Sequence, residues 1–292
     1  MRSVFDTCYH LPWKESDNPN GWIEPTTLCQ LACPGCYRGV DKRGHSGEHQ
    51  HLREMISQVD YQIENRNIHT LSIAGGEPLL YPDLIPLIGY ARKKGLRVML
   101  YSNGISLDEA YLRELKDAGT TQVLIHVDKF QNRTPSNSSE ELIRERINFC
   151  DMFRKVEGVN LGFIQPLSKA CLDDLPAMTR FFNSNRDIIS LVVFTLYREI
   201  CWNHERKPMI DTSITIGEVA GHLQEAGVFM PAAFLPAVKN KPEPAWLFSF
   251  SIGSKKTLLG FFDGNVYRFL QERYYRRKGR HLFISRQNRV GI

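Results

Sequence analysis

The chain has 292 residues, 42% of them hydrophobic and 24% charged, a composition expected of a soluble globular protein with room for a large core. No apolar run approaches the roughly 18 residues that a membrane-spanning helix needs, so an integral membrane protein is excluded. The first 20 residues lack the apolar centre of a signal peptide, and the expected location is cytoplasmic.

The net charge of +5 is unevenly placed. Residues 273–292 hold seven Lys or Arg and no Asp or Glu, so the rest of the chain carries a net −2. A basic end on a near-neutral body argues against nucleic-acid binding over a broad surface and leaves a local anion site open. The end mixes cations with aromatics, from Arg273 and Tyr274 to Arg280. It reads as an anion-recognition segment, an RNA contact or a solvated end.

In chain order, β-rich runs alternate with helical stretches. A strand at 22–28 precedes a cysteine cluster and a helix at 52–65. A strand at 70–74 ends in Gly75-Gly76-Glu77-Pro78 and leads to a helix at 83–94, stopped by Gly95. A strand at 96–101 ends in Ser102-Asn103-Gly104, and a helix at 107–118 is closed by Gly119. Strands at 122–127, 160–164 and 189–197 follow, separated by helices at 138–155 and 172–183. Six strands alternating with five helices predict an α/β fold with parallel strands, either a (β/α) barrel or a doubly wound sheet. In both, chemistry gathers at the C-terminal strand ends, where the Gly and polar motifs fall.

Beyond Tyr197 the rhythm breaks. A helix is expected at 216–225, then an irregular region punctuated by Pro231, Pro236, Pro242 and Pro244. Strands are expected at 246–252 and 257–262, and Asp263-Gly264 before Asn265-Val266-Tyr267 reads as a hairpin turn. The expected organisation is an N-terminal extension at 1–20, a core at 21–200 and a C-terminal α+β cap with a basic tail at 201–292.

Seven cysteines occupy positions 8, 29, 33, 36, 150, 171 and 201. Three packed within eight residues suit a metal or catalytic cluster better than a disulfide framework. The run Cys29-Gln-Leu-Ala-Cys33-Pro-Gly-Cys36 puts three thiols on one tight loop, able to hold three corners of an iron–sulfur cube and leave the fourth iron open. A zinc site needs a distant fourth ligand, such as Cys8, His45, His49 or His51. The three histidines also suit a flexible polar loop closing over a site. Cys150, Cys171 and Cys201 are isolated and read as buried thiols.

The Cys29–Cys33–Cys36 spacing after a first strand, with Gly75-Gly76-Glu77 one β-α unit later, resembles the radical S-adenosylmethionine (SAM) superfamily. The resemblance runs over residues 22–197 and implies a partial (β/α)6 TIM-like barrel. It also implies a [4Fe-4S] cluster on Cys29, Cys33 and Cys36, with SAM on the open iron, cleaved reductively to a 5′-deoxyadenosyl radical. Family members often carry an aromatic residue before the third cysteine. Here Gly35 stands there and Tyr37 follows, so the adenine contact falls to the Gly35 backbone or to Tyr37.

By the same resemblance, the Gly75-Gly76 edge receives the methionyl ammonium and Glu77 orients the loop. Ser102 and Asn103 meet the ribose or carboxylate, with a helix-capping turn as the alternative. His126 and Asp128, two apart on a strand, share a face. Asp128 suits ribose or substrate, and His126 suits substrate contact, proton donation or plain packing. Gln165 is placed at the adenine, and Tyr197 on the same wall or in the core. The implied activity is hydrogen abstraction from a small biosynthetic molecule that can carry a phosphate. It draws on a reductant such as flavodoxin or ferredoxin. Modification of a peptide or RNA, and a non-catalytic iron–sulfur or zinc protein, are the competing readings.

Overall fold

The computed structural model describes residues 8–34, 36–39, 47–131, 133, 137–197, 214–225, 233–238, 241–250 and 264–282. In chain order the elements are β1 (Tyr9–His10), β2 (Asn20–Thr26), α1 (Leu52–Arg66), β3 (Thr70–Gly75), α2 (Leu84–Lys93), β4 (Arg97–Ser102), α3 (Glu109–Ala118) and β5 (Thr120–His126). They continue as α4 (Ser139–Lys155), β6 (Asn160–Leu167), α5 (Leu175–Ser184), β7 (Ile189–Leu196), α6 (Ile216–Glu225), β8 (Ala233–Val238), β9 (Lys241–Phe250) and α7 (Gly264–Lys278). The chain divides into two compact units, Trp13–Leu161 and the combination of Met1–Pro12 with Gly162–Ile292.

The first of these, Trp13–Leu161, is built from β-α repeats. Its strands lie in the order β5-β4-β3-β2, and each pair is parallel. β3 and β5 are buried along almost their whole length, as parallel strands covered on both faces must be. Leu71, Ile73, Leu100, Val123 and Leu124 fill the core. β2 closes the row. Its backbone at Trp22 is met by a side chain, with Trp22 N donating to Gln62 Oε1 and Gln62 Nε2 donating to Trp22 O, both at 2.9 Å. Gln62 thus stands on the buried face of α1 beside Met55 and Val59, doing for an edge strand what a further strand does elsewhere.

Local signals set the helix ends. The Asp108 carboxylate accepts from Tyr111 N at the start of α3, and Gly119 ends that helix at a φ of 111°. Ser138 accepts from Glu141 N at the start of α4, where Glu140 and Glu141 favour the positive helix end. Because the four strands run parallel, their C-terminal residues Thr26, Gly75, Ser102 and His126 fall along one edge.

The other unit departs from the β-α rhythm. β7 pairs antiparallel with β9, which pairs antiparallel with β8, and β8 pairs parallel with β1. Its core includes the rings of Phe163, Phe181, Phe182 and Phe194, at centroid separations of 5.5–6.3 Å. The irregular region expected around Pro236, Pro242 and Pro244 is instead the β8–β9 pair. The prolines are accommodated where register shifts flank the Pro236–Pro244 partnership, because a ring nitrogen cannot donate to a ladder. The hairpin expected through Asn265-Val266-Tyr267 is also corrected, since these residues lie in α7. Tyr267 is buried there against Tyr9, with ring centroids 4.8 Å apart, and Gln271 Nε2 donates to Leu282 O at 3.0 Å. Burial on one helix face outweighs a weak two-residue turn signal. The strand expected at 257–262 lies outside the described residues. Among the described residues no helix is long and apolar enough to cross a membrane.

Candidate functional site

The cysteine loop leaves the C-terminal end of β2. Cys29 and Leu31 form a small buried cluster, with Cys33 and Cys36 packed against it. Cys36 N donates to Cys33 O at 3.2 Å and Gly39 N to Cys36 O at 2.8 Å, so the loop turns twice in succession. Burial raises the Cys29 and Cys33 thiols above their ordinary value. At Cys29 this is partly offset by two N–H groups aimed at the sulfur, Leu31 N at 3.4 Å and Asn103 Nδ2 at 3.7 Å.

The Gly75-Gly76-Glu77 segment runs beside this loop. Gly76 N donates to Thr26 O at 2.8 Å and Glu77 N to Leu28 O at 2.7 Å. The approach requires glycine. Gly75 sits at a φ of 115°, and a Cβ on Gly76 would lie 2.2 Å from Leu28 O. Glu77 then reaches the end of β4. Its Oε1 accepts from Leu79 N at 3.1 Å and Ser102 Oγ at 2.7 Å, and its Oε2 accepts from Asn103 N at 2.8 Å. Burial pushes the Glu77 carboxyl up, and these three donors pull it back. The carboxylate therefore ties the turn after β3 to the end of β4, while the Glu77 backbone N–H holds the cysteine loop at Leu28.

Ser102 and Asn103 make a turn as well as a wall. Ser102 Oγ accepts from Gly104 N at 2.8 Å, and Asn103 Oδ1 accepts from Ile105 N at 2.9 Å. Asn103 also shares a reciprocal amide pair with Gln30, whose Nε2 donates to Ser106 Oγ at 3.1 Å. Tyr37 reaches Glu24, donating its hydroxyl to Oε1 at 2.7 Å. Trp22 and Arg38 bind the same carboxylate.

At the end of β5, His126 Nε2 and Asp128 Oδ2 are 2.5 Å apart. Asp128 is buried and His126 is half-buried. Burial opposes the Asp128 charge. His126, the Phe130 N–H and Arg146 overcome it and hold the carboxyl below its ordinary value. A depressed carboxyl stabilises the fold above its unfolded value and loses that contribution as pH falls through the lower folded one. Replacing Asp128 with Asn should therefore flatten the fall in urea midpoint below about pH 4, the unfolded carboxylate range, while lowering the midpoint at neutral pH.

Residues outside the sequence motifs hold this strand end. Arg133 donates to His126 O at 2.8 Å and forks onto Glu145 of α4, and Arg146 donates to Val127 O at 2.6 Å. Arg146 was legible as a cation inside the apolar stripe Leu142, Phe149, Cys150 and Phe153 of α4. Arg133 carried no comparable signal.

Other expected residues lie elsewhere. Gln165 is buried in β6, its Nε2 donating to Pro166 O at 3.2 Å, and Tyr197 N donates to Leu167 O at 2.7 Å. Both belong to the Gly162–Ile292 part of the chain. Gly35, His45 and Cys201 lie outside the described residues. The stretch expected as a flexible histidine loop is corrected over its second half. His49 bridges to Thr26, its ring 5.9 Å from that of Tyr81, and Gln50 N donates to Pro25 O at 2.8 Å. Among the described residues no three His, Cys, Asp or Glu side chains gather tightly enough to share one metal ion. A cluster makes a different demand, with each thiolate on its own iron.

Residues 23–164 match the family model of the radical SAM superfamily, which places that part of the chain in the superfamily. Over 110 residues it is 34% identical to the 7,8-dihydro-6-hydroxymethylpterin dimethyltransferase of Methanocaldococcus jannaschii, covering 36% of this chain and 21% of that protein. Over 106 residues it is 34% identical to a probable GTP 3′,8-cyclase of Methanococcus maripaludis, covering 35% of this chain and 34% of that one. The chain thus spans at most about a third of either relative. The crystal structure of Streptococcus suis SuiB bound to S-adenosylmethionine has the same fold, with a TM-score of 0.55 at 15% identity over 73% of this chain and 47% of that one. The fold class is accordingly α/β, of the partial TIM-like barrel type.

Proposed function

We propose that residues 21–200 form the core of an enzyme that holds a [4Fe-4S] cluster on Cys29, Cys33 and Cys36 and binds SAM beside it. The observation that carries this reading is the meeting of three strand ends on one thiol loop. Asn103 Nδ2 lies 3.7 Å from Cys29 Sγ, and Glu77 ties the same turn to the loop through Leu28. The donor set suits the group: three thiols stand on one loop, and two N–H groups are directed at the sulfur of Cys29, as a thiolate ligand requires. When bound, the pair supplies one-electron cleavage of SAM to methionine and a 5′-deoxyadenosyl radical, with a flavodoxin or ferredoxin as electron donor.

The chain's own residues bind and orient. Gly75 and Gly76 bring backbone close to the cysteine loop and suit contact with the methionyl end of SAM. Gly35 or Tyr37 is assigned to the adenine side. Ser102 and Asn103 are assigned to the ribose or carboxylate of SAM and Asp128 to ribose or substrate, through residues that also hold their own strand ends. His126, kept in place by Asp128, is the proton-donating or substrate-touching residue. The substrate class is a small biosynthetic molecule. Two partial relatives named for work on a pterin and on GTP support this. A cytoplasmic setting suits a cluster-binding thiol loop of this kind.

The test is anaerobic reconstitution with iron, sulfide, SAM and a strong reductant, followed by mass spectrometry of the nucleoside products. Formation of 5′-deoxyadenosine is expected. S-adenosylhomocysteine or methylthioadenosine in its place would reassign the chemistry, and a protein that takes up no cluster would sink the proposal.

A further inference from the structure

We infer that Asn103 is a positioning residue that sets the reduction potential of the cluster. The inference rests on the reading of Cys29, Cys33 and Cys36 as ligands. It goes beyond the expected contact of Asn103 with SAM. Two features of the turn carry it.

The first is the direction of the amide. Side-chain amides can be placed either way round, and the hydrogen-bond network decides. Here Asn103 Oδ1 lies 2.9 Å from Ile105 N, and a backbone N–H can only donate. The oxygen is therefore committed to the turn, and the atom facing Cys29 Sγ at 3.7 Å is the NH2 group. Gln30 reinforces the choice, offering Oε1 to Asn103 Nδ2 at 3.3 Å and Nε2 to Asn103 Oδ1 at 3.5 Å. The second is burial. Asn103 and Cys29 are both buried, and an N–H···S contact shielded from water acts on the sulfur at low dielectric.

A hydrogen bond to a ligating sulfur stabilises whichever state puts more negative charge there. One-electron reduction adds that charge, so the Asn103 amide favours the reduced state and raises the potential. Leu31 N, at 3.4 Å from the same sulfur, acts in the same sense, but as a backbone group it cannot be removed by substitution. Cys29 thus carries a side-chain donor that can be varied. The turn geometry that fixes it explains why an Asn is needed, since Oδ1 closes the turn while Nδ2 reaches the sulfur.

The experiment compares wild type, Asn103→Asp, Asn103→Ala and Gln30→Ala, each reconstituted without oxygen and assayed for iron and sulfide content. Midpoint potentials come from redox titration against mediators, read by electron paramagnetic resonance of the reduced cluster. Asn103→Asp keeps an oxygen for Ile105 N and replaces the donor. At a fixed ambient potential it should lower the ratio of reduced to oxidised cluster about tenfold, equivalent to about 59 mV for one electron. Asn103→Ala should shift in the same direction. Gln30→Ala, which removes only the group steadying the amide, should shift less. Potentials equal to wild type in both Asn103 variants, with full iron and sulfide content, would overturn the inference. So would loss of the cluster from both, which would make Asn103 a residue of cluster assembly. A wild-type protein that binds no cluster would instead overturn the proposed function on which the inference depends.

Discussion

Replacing any one of Cys29, Cys33 and Cys36 with Ala should abolish cluster-dependent SAM cleavage, while replacing Cys150 or Cys171 with Ala should leave the cluster in place. The contrast follows from where the thiols lie. Cys29, Cys33 and Cys36 pack together on one loop at the C-terminal end of β2. Cys150 is fully buried in the apolar face of α4, and Cys171 lies beside Ser168, whose hydroxyl is 3.5 Å from its sulfur. Three protein ligands leave no reserve, since an iron that loses its thiolate has no second protein donor among the assigned ligands. The measurements are iron and sulfide per chain, the visible absorbance of the reconstituted protein, and 5′-deoxyadenosine formed on reduction. An iron-loaded Cys29→Ala protein that still cleaved SAM would remove the central assignment.

Replacing Glu77 with Ala should destabilise the protein by about 3 kcal/mol, because it strips acceptors from three donors at once, each costing about 1–3 kcal/mol when left buried and unpaired. The donors are Leu79 N, Ser102 Oγ and Asn103 N. The effect is held to the lower end of that sum because burial disfavours the carboxylate itself, as its raised pKa records. Glu77→Gln should lie between the two. It keeps one oxygen but turns an NH2 group toward a donor on one side. Urea unfolding without cluster isolates this role from ligand binding, and a change under about 0.5 kcal/mol, the range of an ordinary surface substitution, would contradict it. In reconstituted protein the same variant should also lower the cluster's reduction potential, because Asn103 N is held by Glu77 and the Asn103 amide in turn meets Cys29.

The motifs were legible because each depends on local chemistry. Three thiols in eight residues, two glycines before a glutamate, and a Ser-Asn-Gly after an apolar strand all sit at the ends of runs whose periodicity marks them as strands. Alternation with helices then puts those ends on one edge, since β-α-β connections make neighbouring strands parallel. The boundaries moved by a few residues where backbone pairing decides. β2 begins at Asn20 instead of Trp22, and β6 continues to Leu167.

By itself the sequence determined the α/β class of the chain, the cysteine loop and the order of its partner motifs. Tertiary structure alone decided the partners of each polar group. A pattern of residue types does not say that Glu77 binds three donors on two segments, that Asn103 turns its amide to Cys29, or that Arg133 and Arg146 tie down the exit of β5. Those contacts join residues up to 74 positions apart. They exist only once packing has brought the segments together and excluded the water that would otherwise satisfy them. The same reason accounts for β8, β9 and α7. Prolines and a turn dipeptide spoke locally for loops and a hairpin, and long-range pairing and burial of Tyr267 and Gln271 prevailed.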